Sequence, residues 1–258
     1  MDGAFYSRDG ERYVPSELTR GPWDPDAQHA GPPAPLLGGA VECCEPRDGM
    51  QVGRITLEIL RPVPLDPLET TARVVRPGRS VELLEASLSG PDGEVMRATA
   101  WRLRPGDVGL PSDGAPPGPE RGTARDFFPT GQEVGYHVAM EYRFVDGAFL
   151  ETGPATVWMR MRVPLVAGEE PSPLERVLVA ADSGNGVSAA LDFHRYLFIN
   201  TDLSVHLLRM PVGEWVCLDA TTHEDGLGLS DTALWDERGL IGRAAQTLLV
   251  RQRSAAGA

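Results

Sequence analysis

Lysine is absent from this chain of 258 residues; all 24 of its basic side chains are arginine. That excludes a P-loop lysine, a Schiff-base lysine and a kinase-type lysine at once. Cysteine is scarce: Cys43, Cys44 and Cys217 are an odd set with one adjacent pair, which is neither a disulfide framework nor a zinc site. Positive charge is in deficit, with 37 acidic residues giving a net charge of −13 and a pI near 4.8. Without a basic run, nucleic acid and anionic membrane surfaces are poor partners. No apolar stretch approaches the roughly 18 residues needed to cross a bilayer. The opening MDGAFYSRDGERY lacks the basic and apolar regions of a signal peptide. A soluble cytoplasmic protein without cofactor or metal is expected.

What is present is an ordinary globular composition, 41% hydrophobic, with 29 Gly and 23 Pro marking many turns. Residues 108–124, VGLPSDGAPPGPERGTA, read as a Pro/Gly-rich linker between a unit at 1–107 and another at 125–258. The units can be superposed. Gln28 to Leu37 lies over Ala181 to Ala190 at an offset of 153, Ile59 to Pro62 over Leu207 to Met210 at 148, and Asp92 to Ala98 over Arg238 to Ala244 at 146. Matches in one order with little drift point to a tandem duplication.

Each unit shows short opening strands, a helix, then strands of period-2 alternation. The first unit has strands near Arg12–Val14, Val52–Arg61, Leu68–Arg76, Val81–Leu88 and Val95–Leu103. The second has them near Tyr136–Phe144, Ala155–Pro164, Asn200–Arg209, Trp215–Ala220, Gly228–Trp235 and Leu240–Arg251. The pattern is α+β and antiparallel. Val177 to Ala189 imitates a dinucleotide-binding turn, but Ser172-Pro173-Leu174-Glu175 ahead of it is a capping box with Pro at the first helical position. The apolar run is therefore a helix, with Leu174, Leu178 and Ala181 on one face, and a Rossmann unit is set aside.

Asp182 falls in that helical pattern beside Ser183-Gly184-Asn185-Gly186. Glycines in a helix cost about 1 kcal/mol each relative to Ala, so either a ligand approaches the backbone here or the helix ends. Alternation over Ile199 to Leu207 turns Thr201 towards the helix unless a bulge intervenes, and Asn200 to the opposite face. Gln246 shares its strand face with Ala244, Leu248 and Val250, an amide on an apolar surface. Such violations of a core pattern are expected at functional sites. The first unit has His29, Val52, Gly53 and Ala100 where the second has Asp182, Asn200, Thr201 and Gln246. The acid and amide groups are thus confined to one unit, and His29 is a further polar contributor.

These residues resemble the acyl-CoA thioesterase family of double hotdog fold, the thioesterase II (TesB-like) branch. The resemblance is carried by Asp182, by NTDLSVHLLRMPVGEW from Asn200 to Trp215, by RGLIGRAAQTLLVR from Arg238 to Arg251, and by Trp23 ahead of HAGPPAPLL. It implies two antiparallel sheets, each wrapped around a central helix and joined into one continuous sheet. It also implies hydrolysis of medium- or long-chain fatty acyl-CoA in lipid metabolism, by a water that Asp182 activates and Gln246 orients together with a strand residue. The family's strand residue is Thr; its register falls on Asn200, whereas alternation favours Thr201. Backbone N–H groups near Gly31, Gly184 and Gly186 are expected at the oxyanion, and His29 and Arg243 against the substrate. Edge strands make a homo-oligomer plausible. Two alternatives stay open: a protein that binds acyl-CoA or fatty acid without hydrolysis, and an enoyl-CoA hydratase, which needs a His close to the Asp.

Overall fold

The computed structural model describes residues 3–106, 118–125 and 133–253. A hairpin of β1 (Tyr6–Asp9) and β2 (Arg12–Pro15) leads through a 3-10 turn and a loop to helix α1 (Pro33–Cys43), followed by β3 (Gln51–Ile59), β4 (Glu69–Arg76), β5 (Val81–Gly90) and β6 (Gly93–Leu103). The second unit begins with β7 (Thr123–Arg125), a helical turn α2 (Tyr136–Ala139), β8 (Met140–Asp146) and β9 (Ala155–Met161). Then come α3 (Pro173–Ala181) and a second turn α4 (Gly184–Val187). The chain ends in β10 (Tyr196–Asn200), β11 (Asp202–Leu207), β12 (Val216–Asp225), β13 (Leu227–Asp236) and β14 (Gly239–Gln252). The capping box is formed as expected: Glu175 N–H donates to Ser172 Oγ, and Ser172 N–H donates to the Glu175 carboxylate.

Among the described residues the strands pair antiparallel, with one parallel bridge between Tyr6 and Val166, and twelve strands form one sheet in the order β4-β5-β6-β3-β11-β14-β13-β12-β9-β8-β7, with β10 also on β14. The two units meet where β3 pairs with β11, from Asp202 opposite Glu58 to His206 opposite Arg54. The helices α1 and α3 pack against each other inside the curve of the sheet. Leu36, Leu37 and Val41 of α1 and Leu174, Val177 and Leu178 of α3 are buried in a core shared by both units. This is the double hotdog, a helix wrapped by sheet, made twice.

Sheet irregularities recur at equivalent places. In the β3–β6 pairing Gly53 is an extra residue between Val52 and Arg54. In the second unit Asn200 pairs with Leu248 but Ser204 with Ala245, so one extra residue falls between them, where the strand is interrupted at Thr201. Val95 is the extra residue opposite Leu88 and Ser89, and Ile241 the extra residue opposite Leu234 and Trp235. Gly53 and Thr201 match at the 148-residue offset, Val95 and Ile241 at 146. Bulges are placed features of a sheet rather than accidents, and two at matching positions are independent support for duplication.

Three sequence expectations change. Residues 136–139 turn as α2 instead of starting a strand, because Val138 and Ala139 N–H both donate to Gly135 O and Tyr136 is drawn inward. The strand expected over Asn200–Arg209 starts earlier, at Tyr196, and is split by the bulge. Of the linker expected at 108–124, residues 108–117 lie outside the described residues, while Thr123 and Ala124 belong to β7, paired with Phe144 and Arg143.

Buried ion pairs secure the turns. Arg102, beside the buried Glu82, donates to Cys44 O and Glu45 O at the end of α1, answering carbonyls that a helix end leaves unpaired. In the second unit fully buried Asp236 receives Arg209 at 2.5 and 2.6 Å and the N–H groups of Val212 and Arg238. Burial alone raises a carboxyl pKa, but these hydrogen bonds outweigh it and hold Asp236 below the usual range. Removing one partner of a buried pair costs roughly 3 kcal/mol, so Asp236→Asn should lower Tm by about 6–12 °C at pH 7. The folded pKa lies below the unfolded one, so the charge contributes fully above about pH 4 and is lost as pH falls through the folded value. The gap in Tm between the two proteins, followed by thermal melts from pH 7 to pH 3, should therefore narrow in acid.

Candidate active site

Helix α3 ends against the sheet, and its C-cap residue is Asp182, whose backbone is still helical at φ −64°, ψ −18°. The side chain is only 3% exposed. A carboxylate so placed must be met by donors, since an unpaired buried charge is costly. Asn200 at the end of β10 donates Nδ2–H to Asp182 Oδ1 at 2.8 Å. Gln246 of β14 donates Nε2–H to the backbone oxygen of Asp182 at 3.0 Å and lies 3.4 Å from Oδ1. The amide of Gln246 is oriented in turn by Asn185 N–H in α4, which donates to Gln246 Oε1 at 3.0 Å. Asn185 Nδ2–H reaches Phe198 O at 3.2 Å, tying the α4 turn to β10.

The third group arrives from the first unit. His29, in the loop before α1, places Nδ1 3.1 Å from Asp182 Oδ2. The same nitrogen is 2.9 Å from Gly31 N. One imidazole nitrogen carries either a proton or a lone pair, so it donates to the carboxylate or accepts from Gly31, not both together. The ring stacks on Tyr136, with centroids 4.0 Å apart and planes within 12°. Tyr136 donates its hydroxyl to Val179 O at 2.6 Å, and its oxygen is 2.9 Å from Ser183 Oγ. Burial pushes the Tyr136 phenol well above its ordinary pKa, so it remains a neutral donor. Gly31 must be small here, since a Cβ would meet Tyr136 Cε2 at 2.8 Å and His29 Nδ1 at 2.9 Å.

Beside this cluster is a cavity of about 640 Å³ bounded by both units. Trp23, Ile59 and Val63 line it from the first unit and Tyr142, Phe149, Val187 and Phe198 from the second, with Asp182, His29 and Asn200 in the wall. Its size and apolar lining suit a small-molecule ligand with few polar groups.

Among the candidates read from the sequence, Asp182, Asn200, Gln246 and His29 come together. Gln246, 1% exposed, stands behind Asp182 and outside the cavity wall. Thr201 lines the cavity edge but is exposed, and its hydroxyl is 3.4 Å from both Asp202 Oδ1 and Thr247 O. The bulge explains this: the extra residue reverses the alternation, so that Asn200 turns inward. Arg243 lies apart, exposed on the outer face of β14 and paired with Asp231. Of the glycines, Gly186 lines the cavity and its N–H donates to Ser183 O; Gly31 and Gly184 lie outside the lining. Sequence reasoning missed Asn185 and Tyr136. The first sits in the Ser-Gly-Asn-Gly stretch that was singled out only for its glycines; the second was assigned to a strand.

Two family profiles match this chain: the acyl-CoA thioesterase C-terminal domain over residues 111–250 and the acyl-CoA thioesterase N-terminal domain over 19–103. The chain belongs to the acyl-CoA thioesterase family. As a thioesterase it is a thioester hydrolase. No curated protein matches it in sequence. Among solved structures, a Thermobifida fusca protein assigned to thioesterase II superposes with a TM-score of 0.72 at 19% identity, over 95% of this chain and 94% of that one. The tesB protein of Mycobacterium avium subsp. paratuberculosis gives 0.65 at 16% identity over 95% and 94%. The acyl-CoA thioesterase II TesB2 of Mycobacterium marinum gives 0.65 at 16% over 90% and 92%. At these identities the superpositions establish a shared double hotdog fold.

The two glycines of α4 in this thioesterase differ sharply in what surrounds them. A Cβ on Gly184 would lie 2.6 Å from Thr232 Oγ1, 3.1 Å from Gln246 Oε1 and 3.2 Å from Ser230 Oγ, whereas one on Gly186 meets nothing within 4 Å. Thr232 and Ser230 are buried on a central strand. Gly184→Ala should cost about 1–3 kcal/mol through overpacking. Gly186→Ala should be neutral or slightly stabilising, because Ala is the better helix former. Denaturant melts of both variants check the contrast.

Proposed function

We propose that this thioesterase hydrolyses medium- to long-chain fatty acyl-CoA to free CoA and a fatty acid, using a water activated by Asp182. One observation carries the reading: a carboxylate 3% exposed, met by Asn200 of its own unit and by His29 of the other at 3.1 Å, in the wall of an apolar cavity of about 640 Å³. The acyl chain lies among the cavity's apolar side chains, with the thioester carbonyl beside Asp182. The water adds to that carbonyl carbon while its proton passes to Asp182. Collapse of the tetrahedral adduct breaks the C–S bond, and the proton returns from Asp182 to the departing CoA sulfur. The carboxylate emerges unchanged, and no metal or cofactor enters any step.

The neighbours divide the remaining work. Asn200, in the cavity wall, fixes Oδ1 and the approach of the water. Gln246 acts from behind as a positioning residue, held by Asn185. His29 fixes Oδ2 from the other unit. Because a base that must point at a water has few useful orientations, holding both of its oxygens is worth more than raising its basicity.

General-base assistance supplies about 10²–10⁴ in rate, so Asp182→Asn should lower kcat by that factor while Tm stays near wild type. Near wild-type turnover by this variant would remove Asp182 from the mechanism. Asn200→Ala should lower kcat roughly tenfold to a hundredfold, the worth of a hydrogen bond to a charged group. Thr201→Ala should stay within about twofold, as an exposed side chain away from the carboxylate does. Thiol release from acyl-CoA of several chain lengths measures all three, and the opposite ranking of residues 200 and 201 would overturn the assignment of Asn200.

A further inference from the structure

The loop between β8 and β9 bends one aromatic ring back into the cavity, and we infer that this ring, Phe149, sets the length of acyl chain the protein accepts. The inference rests on the acyl-CoA reading of the cavity. Phe149 lies edge-on to two rings of β8, Tyr142 at 4.8 Å and 79° and Phe144 at 5.0 Å and 77°. Tyr142 and Phe144 are buried in the main core, so Phe149 rests on a rigid base. Phe149 and Tyr142 line the same cavity as Asp182.

The backbone indicates that the ring is held there by the loop. Leu150, next in the chain, has φ +69°, a left-handed conformation that costs a residue with a side chain roughly 1–2 kcal/mol. Such an outlier persists only where its surroundings over-determine it. Here Phe149 is half-buried against the core, while Leu150, also on the cavity, stays exposed. Gly153 N–H donates to Ala189 O at 2.9 Å, pinning the loop to the segment just after α4, whose Asn185 orients Gln246. One backbone hydrogen bond thus ties the loop that carries Phe149 to the segment that follows the catalytic end. Tyr142 and Phe144 are fixed by the strand, whereas Phe149 belongs to the loop and can be cut back without removing a strand pairing. It is therefore the position at which cavity length is set.

The test separates chain accommodation from hydrolysis. On the Asp182→Asn background, the affinity of saturated acyl-CoA from six to eighteen carbons is measured by titration calorimetry, with and without Phe149→Ala. Affinity should rise roughly fourfold per methylene while the chain is being buried, then level off where the wall is met. Phe149→Ala should move that plateau to chains longer by roughly two carbons or more, and Phe149→Trp should move it to shorter ones. The same shift should appear in kcat/KM on the wild-type background. A plateau at the same length in all three proteins, or a uniform change in affinity at every length, overturns the inference. Absence of thiol release by the wild-type protein with the binding series intact would instead count against hydrolysis, and thermal melts of Phe149→Ala and Phe149→Trp distinguish an altered wall from a lost fold.

Discussion

The carboxylate of Asp182 is the group around which both halves of this molecule are organised. It is nearly excluded from solvent, receives Asn200 on one oxygen and has His29 Nδ1 3.1 Å from the other, while Gln246 grips its backbone carbonyl. Each of these partners has its own support: Asn185 for Gln246, Tyr136 for His29, the bulge at Thr201 for Asn200. Desolvation makes every one of those contacts matter, since a buried anion with a missing donor is far costlier than an exposed one. The His29 contact also means that neither unit builds the site alone. The tandem arrangement brings side chains of both units to one cavity as well as burying two helices.

Duplication explains how such a site arises. The repeated bulges at Gly53 and Thr201, and at Val95 and Ile241, indicate that the sheet geometry predates the divergence of the halves. The inherited bulge turns one residue of each unit inward, Asn200 in the second; the first has Val52 at that position and Ala100 where the second has Gln246. At these positions one unit has apolar core residues and the other has hydrogen-bonding groups. The first copy contributes His29 and the aromatic Trp23 to the shared cavity instead.

The fold was legible because its signals are local. Ser172 and Glu175 mark a helix start within four residues, and that mark alone separates α3 from the strand of a dinucleotide-binding turn. Gln246 was legible as an amide on an apolar face. The choice between Thr201 and Asn200 was not, because alternation assumes an unbroken period and one extra residue in the strand inverts it. The inward place of Tyr136 was not legible, because its side chain is held by Val179, Ser183 and His29, none of them near in sequence. Arg243 was proposed for its charge, yet the pleat directs it outward to Asp231. Contacts between the units, above all His29 with Asp182, have no sequence signature, since repeat alignment superposes those two residues without indicating that they touch.

The central claim is one of place: that the reacting carbonyl sits beside Asp182, with its chain in the cavity between the units. A crystal structure of the Asp182→Asn variant with a bound acyl-CoA tests it most directly. The account predicts the thioester carbon next to residue 182, a water between it and Asn200, and the acyl chain running along Tyr142 towards Phe149. An acyl chain seated outside this cavity, with the carbonyl remote from residue 182, would contradict it.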